Sequence, residues 1–120
     1  MPARLRGCTI LVIEDEYVLA TYIGDILRKE GACLVGPFNN VSEALELLGA
    51  SPSLTAAVLD INLGDETAFP IADRLHELGV PFVFTSGHDA SLIPASHRDR
   101  PLLLKPVSAA AVTAALSAYA

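Results

Sequence analysis

The sequence predicts an α/β fold, a doubly wound parallel sheet with helices on both faces. Three observations predict it. Apolar runs alternate with helix-period segments along the chain, with short connections between them. The apolar runs are near-continuous, as strands buried on both faces require. Four of them end in reactive side chains: Ile10-Leu11-Val12-Ile13 in Glu14-Asp15, Ala56-Ala57-Val58-Leu59 in Asp60, Phe82-Val83-Phe84-Thr85 in Ser86-Gly87, and Leu102-Leu103-Leu104 in Lys105-Pro106. Open α/β sheets bind ligands just beyond the carboxyl ends of their strands.

The elements follow in order. Cys8 to Ile13 reads as the first strand. Leu19, Tyr22, Ile23, Ile26 and Leu27 recur at helical spacing, and Gly31 stops that helix. Ala32 to Gly36 is a short second strand ended by Gly36-Pro37. Asn40 with Glu43 resembles a capping box opening a helix whose inner face is Val41, Ala44, Leu45 and Leu48. Leu54 to Leu59 is the third strand. Ile71, Ala72, Leu75 and Leu78 mark a third helix that stops at Gly79. Pro81 to Thr85 and Leu102 to Leu104 are the fourth and fifth strands, and a last helix turns Val112, Ala115, Leu116 and Tyr119 inward. From His88 to Arg100 the pattern weakens around Pro94 and reads as one short helix or a loop.

With 120 residues the chain is expected to form one domain around one core. A hydrophobic fraction of 52% and a mean hydropathy of +0.45 exclude disorder. Eight Lys and Arg against fourteen Asp and Glu leave a net charge of −6, which argues against a nucleic-acid or anionic-membrane surface. No apolar stretch approaches a membrane span and Met1 to Arg6 has no signal core behind it, so a cytoplasmic location is expected. Cys8 and Cys33 sit in strand-like runs and read as reduced core thiols. His76, His88 and His97 lack metal-ligand spacing; His76 reads as an exposed helix residue, and His88 and His97 as loop.

If the strands are parallel neighbours, Glu14, Asp15, Asp60, Ser86 and Lys105 converge on one point. Clustered acids suit a hard divalent cation, and Mg²⁺ takes one or two carboxylates together with waters and phosphate oxygens. Asp15 and Asp60 are candidates for direct ligation, Glu14 through a water, and the backbone carbonyl of Asn62 completes the set. A carboxylate such as Asp60 is competent to attack phosphorus and form an acyl phosphate. Lys105 then pairs with the phosphate, or with Asp60 before phosphorylation, and Ser86 hydrogen-bonds a phosphate oxygen.

On these residues the chain resembles the receiver domains of bacterial two-component response regulators. The resemblance spans about residues 7 to 119 and rests on Leu-Val-Ile-Glu-Asp-Glu (11–16), Val-Leu-Asp-Ile-Asn-Leu (58–63), Pro-Phe-Val-Phe-Thr-Ser-Gly (81–87) and Leu-Leu-Lys-Pro (103–106). It implies a flavodoxin-like sheet of order 2-1-3-4-5. It also implies Asp60 as phosphoacceptor, Glu14, Asp15 and the Asn62 carbonyl around Mg²⁺, Ser86 (with Thr85 one residue away) as switch hydroxyl, and Lys105 followed by a cis Pro106. A histidine kinase or histidine phosphotransfer protein is the implied donor and a downstream protein the implied target, with a homodimer left open. Three departures stand out: Glu14-Asp15 where the family usually has two Asp, Leu102 where it has an aromatic, and a short Ser86–Lys105 segment containing Pro94. With that short segment the fourth helix is expected to be short, irregular or missing. Asp-Ile-Asn-Leu-Gly-Asp-Glu (60–66) and the altered fourth helix resemble a subtype of alphaproteobacterial sensory pathways.

The expected function is therefore a phosphorylation-controlled switch rather than an enzyme. A Mg²⁺-dependent phosphohydrolase would carry an acid–base Asp two residues after its nucleophile, where this chain has Asn62. A pseudo-receiver that never takes phosphate does not need the full set of polar residues. A flavin site on this fold would meet repulsion from Glu14-Asp15-Glu16.

Overall fold

The computed structural model describes residues 3–87 and 93–120. Seven strands and four α-helices follow the order β1 (Thr9–Ile13), α1 (Tyr17–Lys29), β2 (Cys33–Phe38), α2 (Val41–Gly49), β3 (Ala56–Asp60), β4 (Asn62–Leu63), β5 (Glu66–Thr67), α3 (Phe69–Glu77), β6 (Phe82–Ser86), β7 (Leu102–Leu104) and α4 (Ala109–Ser117). Five strands form one parallel sheet in the order β2-β1-β3-β6-β7, the flavodoxin-like order that the resemblance implies.

The core has two halves because successive strand residues face opposite ways. Leu11, Ile13, Ala57, Leu59, Phe82 and Phe84 face α2 and α3, where they meet Val41, Ala44, Leu48, Ile71, Ala72 and Leu75. Ile10, Val12, Ala56, Val58 and Val83 face α1 and α4, where they meet Ile23, Leu27, Val112 and Leu116. Every residue of β3 and β6 is buried, so these two central strands are apolar on both faces up to their last residues. The helix starts follow local chemistry. Asn40 accepts from the Glu43 amide at 2.9 Å and Ser108 from the Ala111 amide at 3.1 Å, each satisfying a first-turn donor that the helix cannot.

Three expectations need correction. Cys8 is buried, but Cys33 is exposed, because β2 is an edge strand whose pattern is half-buried at best. The strand ends also move: β2 runs on to Phe38, and β3 and β6 extend through Asp60 and Ser86, so the polar residues belong to the strands themselves. His97 does not lie in an open loop. Ala95–His97 forms a single 3-10 turn and the imidazole is only 2% exposed. That turn is the only helical element among the described residues between β6 and β7. His88 lies outside the described residues. His76 is exposed on α3, and Tyr119 and Phe38 pack against the core.

An antiparallel hairpin, too short for periodicity to register, follows β3. Asn62 pairs with Thr67 and Leu63 with Glu66 immediately after Asp60, turning at Gly64 with φ 67°. Among the described residues no helix is long and apolar enough to cross a membrane.

Gly36 is required by geometry. Its φ is 100°, and a Cβ there would lie 2.8 Å from the Val12 carbonyl oxygen and 2.9 Å from the Phe38 nitrogen. This is where the β1–β2 register shifts. Gly36→Ala is expected to lower the unfolding free energy by roughly 2–4 kcal/mol, from left-handed strain plus a backbone clash. Urea titration checks it, and an unchanged midpoint would mean that the bulge relaxes freely.

Candidate functional site

The site forms where β1, β3, β6 and β7 end side by side. Ile13 pairs with Leu59, Asp60 with Thr85, and Ser86 with Leu104. Glu14, one residue past β1, and Asp60, the last of β3, are therefore neighbours, and Lys105 follows β7. The Lys105 amide donates to the Ser86 carbonyl at 2.8 Å, which carries the β6–β7 pairing up to the lysine itself.

Glu14 and Asp60 are each only 2% exposed, and Ser86 is 1% exposed. The Lys105 ammonium lies 3.1 Å from Asp60 Oδ2, 3.2 Å from Glu16 Oε1 and 3.6 Å from Glu14 Oε1. The Glu16 amide donates to Glu14 Oε2 at 3.1 Å, and the Asn62 amide donates to Asp60 Oδ1 at 3.3 Å. Carboxylate oxygens of Glu14, Asp15 and Asp60 all lie within 4.8 Å of one another. A cavity of about 280 Å³ opens over them, lined by Asp15, Glu16, Asp60, Asn62, Gly64, Gly87 and Lys105. Asp15 is exposed at its mouth.

The predicted residues Asp15, Asp60, Asn62 and Lys105 thus line one pocket, with Glu14 buried beside Asp15 and Asp60. Ser86 and Thr85 are consecutive in a strand and face opposite sides of the sheet. Thr85 pairs with Asp60 and is fully buried, and its hydroxyl has no hydrogen-bond partner. Ser86 lies at the strand end beside the Lys105 amide. Sequence reasoning gave Glu16 no part in the cluster. It is a third carboxylate on Lys105, and its position directly after the acidic pair was the signal available.

The electrostatics follow from burial. Desolvation, helped by hydrogen bonding to Asp60 and by its charge, raises the Glu14 carboxyl from 4.5 to about 8, against the Glu16 amide and Lys105. Burial works against the Lys105 charge, but the hydrogen bond to Asp60 and the nearby carboxylates outweigh it, holding the ammonium above its ordinary range. Glu14 Oε1 is buried without a hydrogen-bond donor. An unsatisfied acceptor within an acceptor-only oxygen cluster fits a hard divalent cation, for which Glu14, Asp15 and Asp60 supply the charge.

The fold and the site define a class of signalling module, and comparison with known proteins agrees. The chain is 34% identical to SdrG from Sphingomonas melonis Fr1, covering 97% of this chain and 97% of that one with a TM-score of 0.80. It is 33% identical to SdrG in a BeF3-activated conformation, assigned to Pseudomonas melonis Fr1, over 97% and 98% of the two chains with a TM-score of 0.74. A response regulator receiver protein from Sinorhizobium medicae WSM419 is 25% identical over 93% of each chain, with a TM-score of 0.80. The sensor protein TorS of Escherichia coli (strain K12) is 31% identical over 97 residues, 81% of this chain. The chain spans only 10% of the length of TorS. No family model matches the chain. The chain belongs to the receiver-domain family of response regulators, and its likeness to SdrG agrees with the alphaproteobacterial type.

The raised Glu14 carboxyl makes the metal-free protein sensitive to pH. A group whose pKa is higher folded than unfolded contributes stability that is full below its unfolded value and is lost as pH rises through the folded value. Here that window runs from 4.5 to about 8. In EDTA the urea midpoint of the wild type is expected to fall across this range, while Glu14→Gln stays flat and becomes the more stable protein at its upper end. Parallel pH profiles for the two proteins would place the titration on another group.

Proposed function

We propose that this receiver accepts a phosphoryl group on Asp60 from a histidine kinase or histidine phosphotransfer protein, with Mg²⁺ at Glu14, Asp15, Asp60 and the Asn62 carbonyl. The observation that carries this reading is the convergence of Asp60, the acidic pair and Lys105 in one pocket, with a Lys105–Asp60 distance of 3.1 Å. A bound Mg²⁺ would neutralise charge on the phosphoryl oxygens and on the surrounding carboxylates.

The chain's own residues divide the remaining work. One Asp60 carboxylate oxygen forms the new O–P bond as the donor's N–P bond breaks, and the imidazole leaves with the pair of that bond. The Asn62 amide holds the other oxygen, Oδ1, and so orients the nucleophile. Lys105, held now by Asp60 and Glu16, moves its hydrogen bond from the carboxylate to a phosphate oxygen. The Ser86 hydroxyl turns to a second phosphate oxygen and carries the change into β6. The existence of a BeF3-activated conformation of SdrG supports extending a phosphate-dependent switch to this chain.

The donor's approach is also readable. Tyr17 is 84% and Val18 81% exposed at the start of α1, beside the site. A groove of about 610 Å³ lined by Glu16, Val18, Leu19, Tyr22, Lys105, Pro106 and Val107 runs from the ammonium along this apolar face. A donor helix seated there would bring its phosphohistidine to the pocket mouth. The output is contact with a downstream protein, in the cytoplasm, with no covalent turnover beyond self-catalysed phosphotransfer and autodephosphorylation.

Intact-protein mass after incubation with acetyl phosphate and Mg²⁺ tests the assignment. Wild type is expected to gain one phosphoryl group and Asp60→Asn none. An adduct on Asp60→Asn would move the acceptor elsewhere, and no adduct on either would favour a pseudo-receiver. Asp15→Asn is expected to weaken Mg²⁺ binding and phosphorylation together, by about tenfold or more for a lost charged ligand. Unchanged Mg²⁺ affinity, measured by titration calorimetry, would displace the metal from this cluster.

A further inference from the structure

We propose that His97 and Asp73 set the register of β7 and thereby position Lys105, making His97 a positioning residue for the phosphoryl-transfer site. This rests on the phosphoacceptor reading for its kinetic consequence but not for its structural one.

β7 is poorly specified by its own sequence. The strand is Leu102-Leu103-Leu104, only three residues at the edge of the sheet, half-buried at Leu102 and Leu103 and 57% exposed at Leu104. Register is normally specified by apolar pattern, since a slip of one residue puts the wrong side chain on the buried face. In this strand a slip by one exchanges leucine for leucine at two of the three positions, so the apolar pattern discriminates poorly. A slip nevertheless disrupts the site, because one residue of strand is about 3.3 Å and turns each side chain to the opposite face, taking Lys105 away from its 3.1 Å contact with Asp60. Something upstream of the strand has to set where it begins.

Among the described residues entering β7, Ile93 and His97 are the two buried in the core, and of the two only His97 also carries a directional side-chain bond to another element. The His97 ring is 2% exposed and lies edge-on to Phe82 and Phe84 of β6, with centroid separations of 5.6 and 6.3 Å. Its Nε2 lies 2.7 Å from Asp73 Oδ1 on α3. The turn is closed by the His97 amide on the Pro94 carbonyl at 2.9 Å and the Arg100 amide on the His97 carbonyl at 3.1 Å. Arg100 then stacks 4.4 Å above the Phe82 ring and reaches His76 Nδ1 at 3.2 Å. Next, the Pro101 carbonyl accepts from the Phe84 amide at 2.9 Å, the first bond of the β6–β7 ladder. From His97 to Lys105 the chain is thus held at consecutive points.

A phenylalanine at position 97 would fill the space between the two rings without leaving a polar atom in an apolar wall. Histidine instead leaves Nδ1 buried with no hydrogen-bond partner, which costs its desolvation. Packing alone does not account for the imidazole. Its gain is the directional bond to α3, which fixes the turn along the strand axis as an apolar contact does not.

Two variants test this: His97→Phe keeps the volume and loses the bond, and Asp73→Ala removes the acceptor from an exposed helix position without touching the core. In each, hydrogen-exchange protection of the Phe84 and Lys105 amides, the donors at the two ends of the β6–β7 ladder, is expected to fall on the order of tenfold while the Val58 and Leu59 amides of β3 keep theirs. The acetyl phosphate reaction is expected to slow on the order of tenfold at unchanged Mg²⁺ affinity, because the proposed metal residues stand at or just past the ends of β1 and β3, away from β7. Wild-type protection at Phe84 and Lys105 in both variants would reduce His97 to a packing residue and overturn the proposal. Should His97→Phe fail to fold, Asp73→Ala decides alone. Should wild type take no phosphoryl group, the phosphoacceptor reading fails, and the exchange measurement still decides the register.

Discussion

One partly buried ammonium holds the site together. Lys105 sits among Asp60, Glu14 and Glu16, and two of those carboxylates are almost wholly withdrawn from water. Coulomb repulsion between the Glu14 and Asp60 carboxylates would push the ends of β1 and β3 apart if nothing intervened. The lysine offsets only part of it. The remainder appears as the raised Glu14 carboxyl, which absorbs a proton where a second positive charge is wanted. That imbalance is one that a bound cation at Glu14, Asp15 and Asp60 would relieve.

The rest of the molecule supports that arrangement. The two central strands are apolar on both faces, so the only place for charge is at their carboxyl ends. Parallel pairing puts all those ends on one edge, and helices cover both faces of the sheet. The hairpin after Asp60 turns the chain back within a few residues, and the Ala68 amide closes it on the Ile61 carbonyl at 2.9 Å. On the far side, a short turn carrying a buried imidazole replaces a regular helix among the described residues before β7.

Much of this was legible beforehand. The alternation of apolar runs and helical periods gave the architecture, and the ends of four runs gave Glu14, Asp15, Asp60, Ser86 and Lys105, because a parallel sheet turns strand ends into one place. Other features were not legible for physical reasons. Cys33 looks like a core residue in a one-dimensional pattern, yet burial depends on whether a strand is central or at an edge, which depends on partners far along the chain. Glu16 looks like a helix-start acid, and its bond to Lys105 spans a sequence separation of 89. The hairpin at Asn62–Thr67 is too short for any period to register. His97 looks like loop because its neighbours are polar, and only the rings of Phe82 and Phe84 show that it points inward.

The sequence by itself determined the fold class, the two-faced core and which side chains stand at the strand ends, because these depend on local periodicity and on the geometry of parallel sheets. The tertiary structure alone decided the distances within the cluster, the extra carboxylate on Lys105, the exposure of Cys33 and the burial of His97. Each of these depends on contacts between segments distant in the chain, and burial and electrostatic energy are set by those contacts rather than by the residues that make them.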